Sequence, residues 1–223
     1  MKISSIPKLG RKDSVVYFKG RYGYVARQHV SPRNPRTPSQ QDHRENVRAV
    51  SLRWRTLTPE QQAAWRVTAA NRDFVSEAGR PVRLNGCNFF VRLNVRRADL
   101  DLPQFDLPPA EPVFGLNPVE ELVITYIAGE ITLKLRVPSP PAQLTLVQGP
   151  APVRTGVRRV ERFPFLGLLP APIAGWSDIT ELYVARYGVP KAGMAIWIRT
   201  CQHIDGYIDI PKVVRARVPA PTA

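Results

Sequence analysis

The sequence predicts an α+β protein: an N-terminal β-hairpin with a basic three-helix domain, then a β-sandwich carrying one crossover helix. Three observations predict it. Helix start signals gather before residue 100, short β-branched runs broken by Pro and Gly gather after it, and charge divides at the same place. Residues 1–100 hold 20 Lys+Arg against 7 Asp+Glu, whereas residues 101–223 hold 12 against 11. Prolines split the other way, 6 before residue 100 and 17 after it. The expected division is therefore a basic domain at 1–100, a Pro-rich linker at 101–118 and a sandwich at 119–223.

Residues 14–19 and 22–30 are rich in β-branched and aromatic side chains, and Gly20-Arg21 can turn the chain between them, so a hairpin is expected. Ser31-Pro-Arg-Asn-Pro-Arg-Thr37 allows neither helix nor central strand and reads as an extended arm. Thr37-Pro38-Ser39-Gln40 and Thr58-Pro59-Glu60-Gln61 each place Thr at the N-cap, Pro at N1 and Gln at N3, which is a capping box with a preset first turn. The first helix should run to about Leu57 on the stripe Val47, Val50, Trp54 and Leu57. The second should run from Pro59 to about Glu77, with Gly79 and Pro81 as stops. A third is expected from Gly86 to about Arg97, capped by Asn85 and burying Phe89, Phe90 and Leu93.

Beyond the linker, 121–127 and 131–137 form a predicted antiparallel hairpin, with further strands expected at 143–148, 153–163, 193–202 and 207–218. Asp178 can cap a helix over 179–187, closed by Gly188 and Pro190. The segment 163–172 carries two Phe and three Leu between prolines. It is either a plug for the open end of the sandwich or an exposed protein-contact patch, for which Phe165 and Leu168 are the candidate residues.

Composition excludes more functions than it names. No apolar run approaches the roughly 18 residues needed to cross a bilayer, and the first residues lack a secretory signal, so a cytoplasmic location, or a virion assembled there, is expected. Cys87 and Cys201 lie outside any metal-ligand spacing and are expected as reduced thiols. His29, His43 and His203 are the only histidines. None stands near a Cys or a carboxylate pair, and no hydrolase, zincin or nucleotide-binding motif is present, so neither enzyme activity nor a metal or cofactor is expected. Asp205 and Asp209 supply too few oxygens for a calcium loop, and a strand-connecting turn accounts for Asp205-Gly206.

Two resemblances accompany this reading. The segment Ser51-Leu-Arg-Trp-Arg-Thr-Leu-Thr-Pro-Glu-Gln-Gln-Ala-Ala-Trp65 resembles the second and third helices of an HMG box. It departs from that family upstream, where an arm and a hairpin replace the long first helix, so DNA bending is not implied. Over the whole chain, Asn34-Pro-Arg-Thr-Pro-Ser-Gln40, Trp54-Arg-Thr-Leu-Thr58, Ala64-Trp65, Gly86-Cys-Asn-Phe-Phe90 and Tyr183-Val-Ala-Arg-Tyr-Gly-Val-Pro190 resemble recurrent features of a group of uncharacterised bacterial and phage-like proteins. That resemblance implies a two-part architecture, with a C-terminal half similar to the immunoglobulin or fibronectin type III sandwiches common on virions.

The basic first half carries the strongest functional signal. Sixteen of its 20 basic residues are arginine, the side chain suited to bidentate anion contacts. At 100° per residue Arg44, Arg48 and Arg55 share one stripe of the first helix, and Arg33 and Arg36 on the arm and Arg53 on the helix are expected to assist them. These six are the candidate anion-binding residues. The function expected is a non-enzymatic structural or assembly subunit, virion- or phage-like, anchored through this domain in a homo- or hetero-oligomer. The alternative is sequence-nonspecific nucleic-acid binding through the same arginines.

Overall fold

A computed structural model describes residues 9–20, 23–31, 36–75, 81–127 and 129–221. The fold is α+β, with antiparallel sheets and four α-helices among the described residues. Two compact units divide between Asp42 and His43. The first holds a three-stranded antiparallel meander of β1 (Gly10–Lys12), β2 (Val15–Gly20) and β3 (Gly23–Gln28). The expected hairpin is present with β1 added, paired from Gly10 opposite Tyr17 to Lys12 opposite Val15. The Arg21 position of its turn lies outside the described residues.

Helix α1 (Pro38–Arg53) begins at the expected proline, ends earlier than expected, and passes into a 3-10 turn over Trp54–Thr56. The carbonyls freed there are taken by side chains: the Gln62 amide donates to Trp54 O at 3.1 Å, and the Thr56 hydroxyl to Arg53 O at 2.8 Å. Helix α2 (Pro59–Ala70) starts on the expected capping box, with Gln61 N donating to the Thr58 hydroxyl and Thr58 N to the Gln61 side chain. It stops at Ala70 rather than near Glu77. A continued helix would set Phe74 about 180° from Trp65, pointing away from the core. Instead the chain turns at Asn71 and forms β4 (Phe74–Val75) against β5 (Pro81–Val82), which brings the Phe74 ring to 5.1 Å from that of Phe89. Helix α3 (Gly86–Ala98) is capped by Asn85, whose side chain accepts from Asn88 N at 2.7 Å.

These helices share one core. Trp65 is fully buried and stacks edge-on to Phe89 and Phe90, with ring centroids 5.3 and 5.2 Å away, while its indole N–H donates to Asp106 O at 2.8 Å. Such aromatic pairs add about 0.5–1.5 kcal/mol each beyond the area they bury. Trp54 is only partly buried, packing on Phe90 at 5.4 Å.

The Pro-rich segment 101–118 is held within the second unit. Asn94 on α3 pairs both ways with the Phe105 backbone, Arg97 donates to Pro103 O, and Asn117 and Gln202 fix the far end. Proline removes donors and holds this stretch extended, so side chains from both flanks supply its hydrogen bonds and it lies as a strap.

The remaining strands are β6 (Leu122–Ile127), β7 (Glu130–Arg136), β8 (Leu144–Gln148), β9 (Val153–Arg154), β10 (Phe165–Leu168), β11 (Trp176–Asp178), β12 (Met194–Ile204), β13 (Tyr207–Ile208) and β14 (Lys212–Arg217). One sheet runs β11-β7-β6. The larger runs β10-β8-β12-β13, with β9 and β14 also paired to β12. The strand expected over 153–163 lasts two residues, because the chain leaves β12 at a Thr155-Gly156 turn. That expected over 207–218 is broken, since Pro211 cannot donate to the ladder. Helix α4 (Thr180–Tyr187) starts one residue later than expected, and Asp178 accepts from Thr180 N at 2.9 Å. Leu122, Ile124, Leu133 and Leu135 of the smaller sheet, Val147, Ile196, Ile198 and Val214 of the larger, and Ile179 before α4 and Tyr183 on it form a second core. The buried Tyr183 hydroxyl donates to Pro150 O at 3.0 Å, and burial pushes its ionisation above the usual phenol range.

Candidate anionic-partner interface

Arg44 and Arg48 lie on the exposed surface of α1. Arg55 is exposed too, but it stands in the 3-10 turn past the helix end, so the stripe expected to join all three is interrupted at Trp54. Arg53 is tied down. Its Nε and Nη2 donate to Asp106 Oδ1 at 3.1 and 2.8 Å, bracing α1 against the strap. Arg36 sits just before the helix with φ +49°, and Arg33 lies outside the described residues.

Other arginines, on α3 and just past α2, turn inward onto the tip of the β12–β13 hairpin. Arg97, only 7% exposed, pairs with Asp205 at 3.0 Å while its guanidinium lies 3.9 Å from the Phe105 ring centre. Arg96 donates to Gly206 O at 3.0 Å. Arg72 covers the Tyr207 ring at 4.7 Å, donates to its hydroxyl and pairs with Glu111 at 3.2 Å. Gly206 has φ +88°, and a Cβ there would stand 2.6 Å from Leu93 O. The tip therefore docks on the backbone of α3, so Asp205-Gly206 does more than connect two strands. Part of the basic surplus is internal bracing.

The histidines and cysteines are not assembled into a reacting group. His29 follows β3, with its N–H donating to Ser14 O, and the exposed His43 ring lies 3.0 Å from Asp99. His203 is buried on β12, where burial and then the Arg96 and Arg97 charges push its imidazole down to about 4, leaving it neutral at pH 7. Its Nε2 has no hydrogen-bond partner. Cys201 is buried and Cys87 half-buried, and both are free thiols. Burial pushes the Cys201 thiol up to about 11. Asp209 accepts from Gln202 N at 2.6 Å, while Asp205 belongs to Arg97. Among the described residues no cluster of three or more His, Cys, Asp or Glu could hold a metal ion, and no helix is long and apolar enough to cross a membrane.

Phe165 and Leu168 stand on β10, an edge strand that pairs with β8 through a bulge. They are 41% and 40% exposed, while Leu166 and Leu169 turn in to the second core. The segment thus closes one edge and shows two apolar side chains outward.

Two surfaces escape a count of charge by halves. Residues 99–130 carry seven carboxylates and no basic residue, which cancels a basic excess of 12 Lys+Arg over 5 Asp+Glu in 131–223. Five of those basic residues, Arg154, Arg199, Lys212, Arg215 and Arg217, stand on the larger sheet. None of β8, β9, β10, β12 or β14 contains an Asp or Glu, a signal legible once the strands are delimited. The second surface is apolar: Val113, Leu116 and Ile210 are 94%, 97% and 89% exposed. No protein-family model, no curated protein and no solved structure matches the chain.

Proposed function

We propose that this chain is a non-enzymatic structural subunit of an assembly, virion- or phage-like in type, anchored on an anionic partner through its basic N-terminal part. In this reading it acts in the cytoplasm or in a particle assembled there, and its two C-terminal sheets form an immunoglobulin- or fibronectin-like sandwich. Their shared core of side chains supports that last point. The observation that carries the proposal is the exposure of Val113 and Leu116 on backbone that is held in place. Gln202, buried on β12, donates its amide to Leu116 O at 2.8 Å and to Gly115 O at 3.3 Å, and its backbone N–H donates to Asp209, next to Ile210. Val113 and Leu116 also line an open groove of about 650 Å³ whose opposite wall is the Pro138–Ala142 stretch. Apolar side chains displayed on a fixed strap suit a contact surface, since covering each one gains about 1.5–3 kcal/mol. Sedimentation velocity of the wild type and of a Val113→Ser, Leu116→Ser, Ile210→Ser variant tests this. Multi-copy wild type and dissociated variant are expected, and identical sedimentation of the two refutes the surface.

A second reading, sequence-nonspecific nucleic-acid binding through the helical arginines, is favoured by the exposure of Arg48 and Arg55, neither of which enters an ion pair among the described residues. Arg53 contributes little to it while held by Asp106.

A further inference from the structure

We infer that the outer face of the larger sheet is a binding platform for single-stranded nucleic acid, a site separate from the α1 arginines and independent of whether the chain assembles. Strand register builds it. Side chains directly opposite one another in antiparallel strands share a face. Phe165 is opposite Gln148, Gln148 opposite Arg199, and Arg199 opposite Val213, which makes one row across four strands. The next row toward the start of β12 pairs Trp197 with Arg215, and the one beyond pairs Ala195 with Arg217. The core side chains Ile196, Ile198 and Val214 alternate with these and point the other way.

Arginine and aromatic rings interleave on this face. The Arg199 guanidinium lies 4.9 Å from the Phe163 ring centre and is oriented by a 2.7 Å hydrogen bond from its Nε to Gln148. Arg215 lies 5.3 Å from the Trp197 ring. Arg215, Val213 and Phe165 are exposed, and Trp197, Arg199, Arg217 and Phe163 are half-exposed. The β9–β10 connection adds exposed Arg158, Arg159 and Arg162 against one carboxylate, Glu161. Among the described residues no ion pair engages Arg199, Arg215 or Arg217, whose strands supply no carboxylate to the face; the arginine ion pairs there fall on Arg53, Arg72, Arg97 and Arg136.

An anion is the natural complement of such a face, and the rings select its kind. Base stacking on aromatic side chains is tolerant of sequence and needs bases free of a duplex, while stacked guanidinium groups supply phosphate contacts. Alternate residues on one strand are about 6.7 Å apart, so Arg215 and Arg217 offer two successive contacts along an extended chain. An acidic polypeptide would satisfy the charges but leave the rings unused.

The test is fluorescence anisotropy of the full-length protein with a labelled 20-nucleotide oligothymidine, against a duplex of equal length and polyglutamate as competitors. The expected result is binding that weakens with salt, with preference for the single strand over both competitors. Arg199→Gln, Arg215→Gln, Arg217→Gln should make the slope of log K against log salt shallower by about 2, at roughly 0.7 per single-strand phosphate contact. Phe165→Ala should weaken binding about tenfold through lost stacking, whereas Arg136→Gln on the other sheet should change nothing. Absence of oligothymidine binding at low salt overturns the inference. So does loss of binding through Arg44→Gln, Arg48→Gln, Arg55→Gln with the sheet variant unaffected, and so does equal competition by polyglutamate. Circular dichroism of each variant confirms folding, and the single substitution Arg215→Gln, at an exposed position, provides the readout if the triple variant is unstable.

Discussion

Replacing Gly206 by Ala tests the docking of the β12–β13 hairpin on α3. The new Cβ would meet Leu93 O at 2.6 Å, Leu93 Cα at 2.9 Å and Leu93 C at 3.0 Å, all backbone of a helix and none able to swing aside. Holding a non-glycine residue at φ +88° costs about 1–2 kcal/mol, and forcing a methyl group into a packed contact about 1–3 kcal/mol more. The sum is about 2–5 kcal/mol, with the upper part expected if the tip shifts and loosens Arg96, Arg97 and Arg72 from Gly206, Asp205 and Tyr207. Gly129 is the control. It has φ +83° with nothing within 4 Å of the added Cβ, so Gly129→Ala should cost only the conformational 1–2 kcal/mol. Urea unfolding followed by tryptophan fluorescence measures both, with unchanged m-values showing that midpoint shifts report stability. If Gly206→Ala costs no more than Gly129→Ala, the docked tip is wrong.

Trp65→Ala should cost about 3–5 kcal/mol and Trp54→Ala less, because only Trp65 is fully enclosed. Iodide quenching of single-tryptophan variants should find Trp65 shielded and Trp54 partly accessible, and equal quenching would contradict the core assignment. His203 has a folded pKa of about 4 against an ordinary 6.5, so the unfolded chain takes up its proton first as pH falls. Its contribution is intact above pH 6.5 and is lost progressively down to about pH 4, a loss of about 3 kcal/mol at 1.36 kcal/mol per pH unit. Urea unfolding between pH 7 and pH 4 should show that decline, and His203→Gln should flatten it; a slope unchanged in the variant would place the titration elsewhere.

Local chemistry was legible where it acts over a few residues. Thr58-Pro59 with Gln61, the Asn85 cap, the 122–136 hairpin and the Gly188-Pro190 stop each draw on neighbours in sequence, and each stands at or within a residue or two of its expected place. Long-range partners were not legible. The end of α2 depends on Phe74 reaching Phe89, and the strap at 101–118 depends on side chains of the neighbouring α3, Asn94 and Arg97, and on Gln202, 86 residues from its partner Leu116. Charge misled for a related reason. The total over 101–223 hides an acidic strap and a carboxylate-free sheet that fold onto different surfaces, and the basic total over 1–100 hides arginines that serve as internal braces. The spacing rule for Arg44, Arg48 and Arg55 holds only while the helix lasts, and α1 ends at Arg53.

Native mass spectrometry combined with negative-stain electron microscopy of the purified chain tests the assembly role most directly. Masses at multiples of 25.0 kDa and regular particles or filaments, reached through the Val113, Leu116 and Ile210 surface, are expected. A protein that stays at one copy across all concentrations and never enters a particle or filament contradicts it.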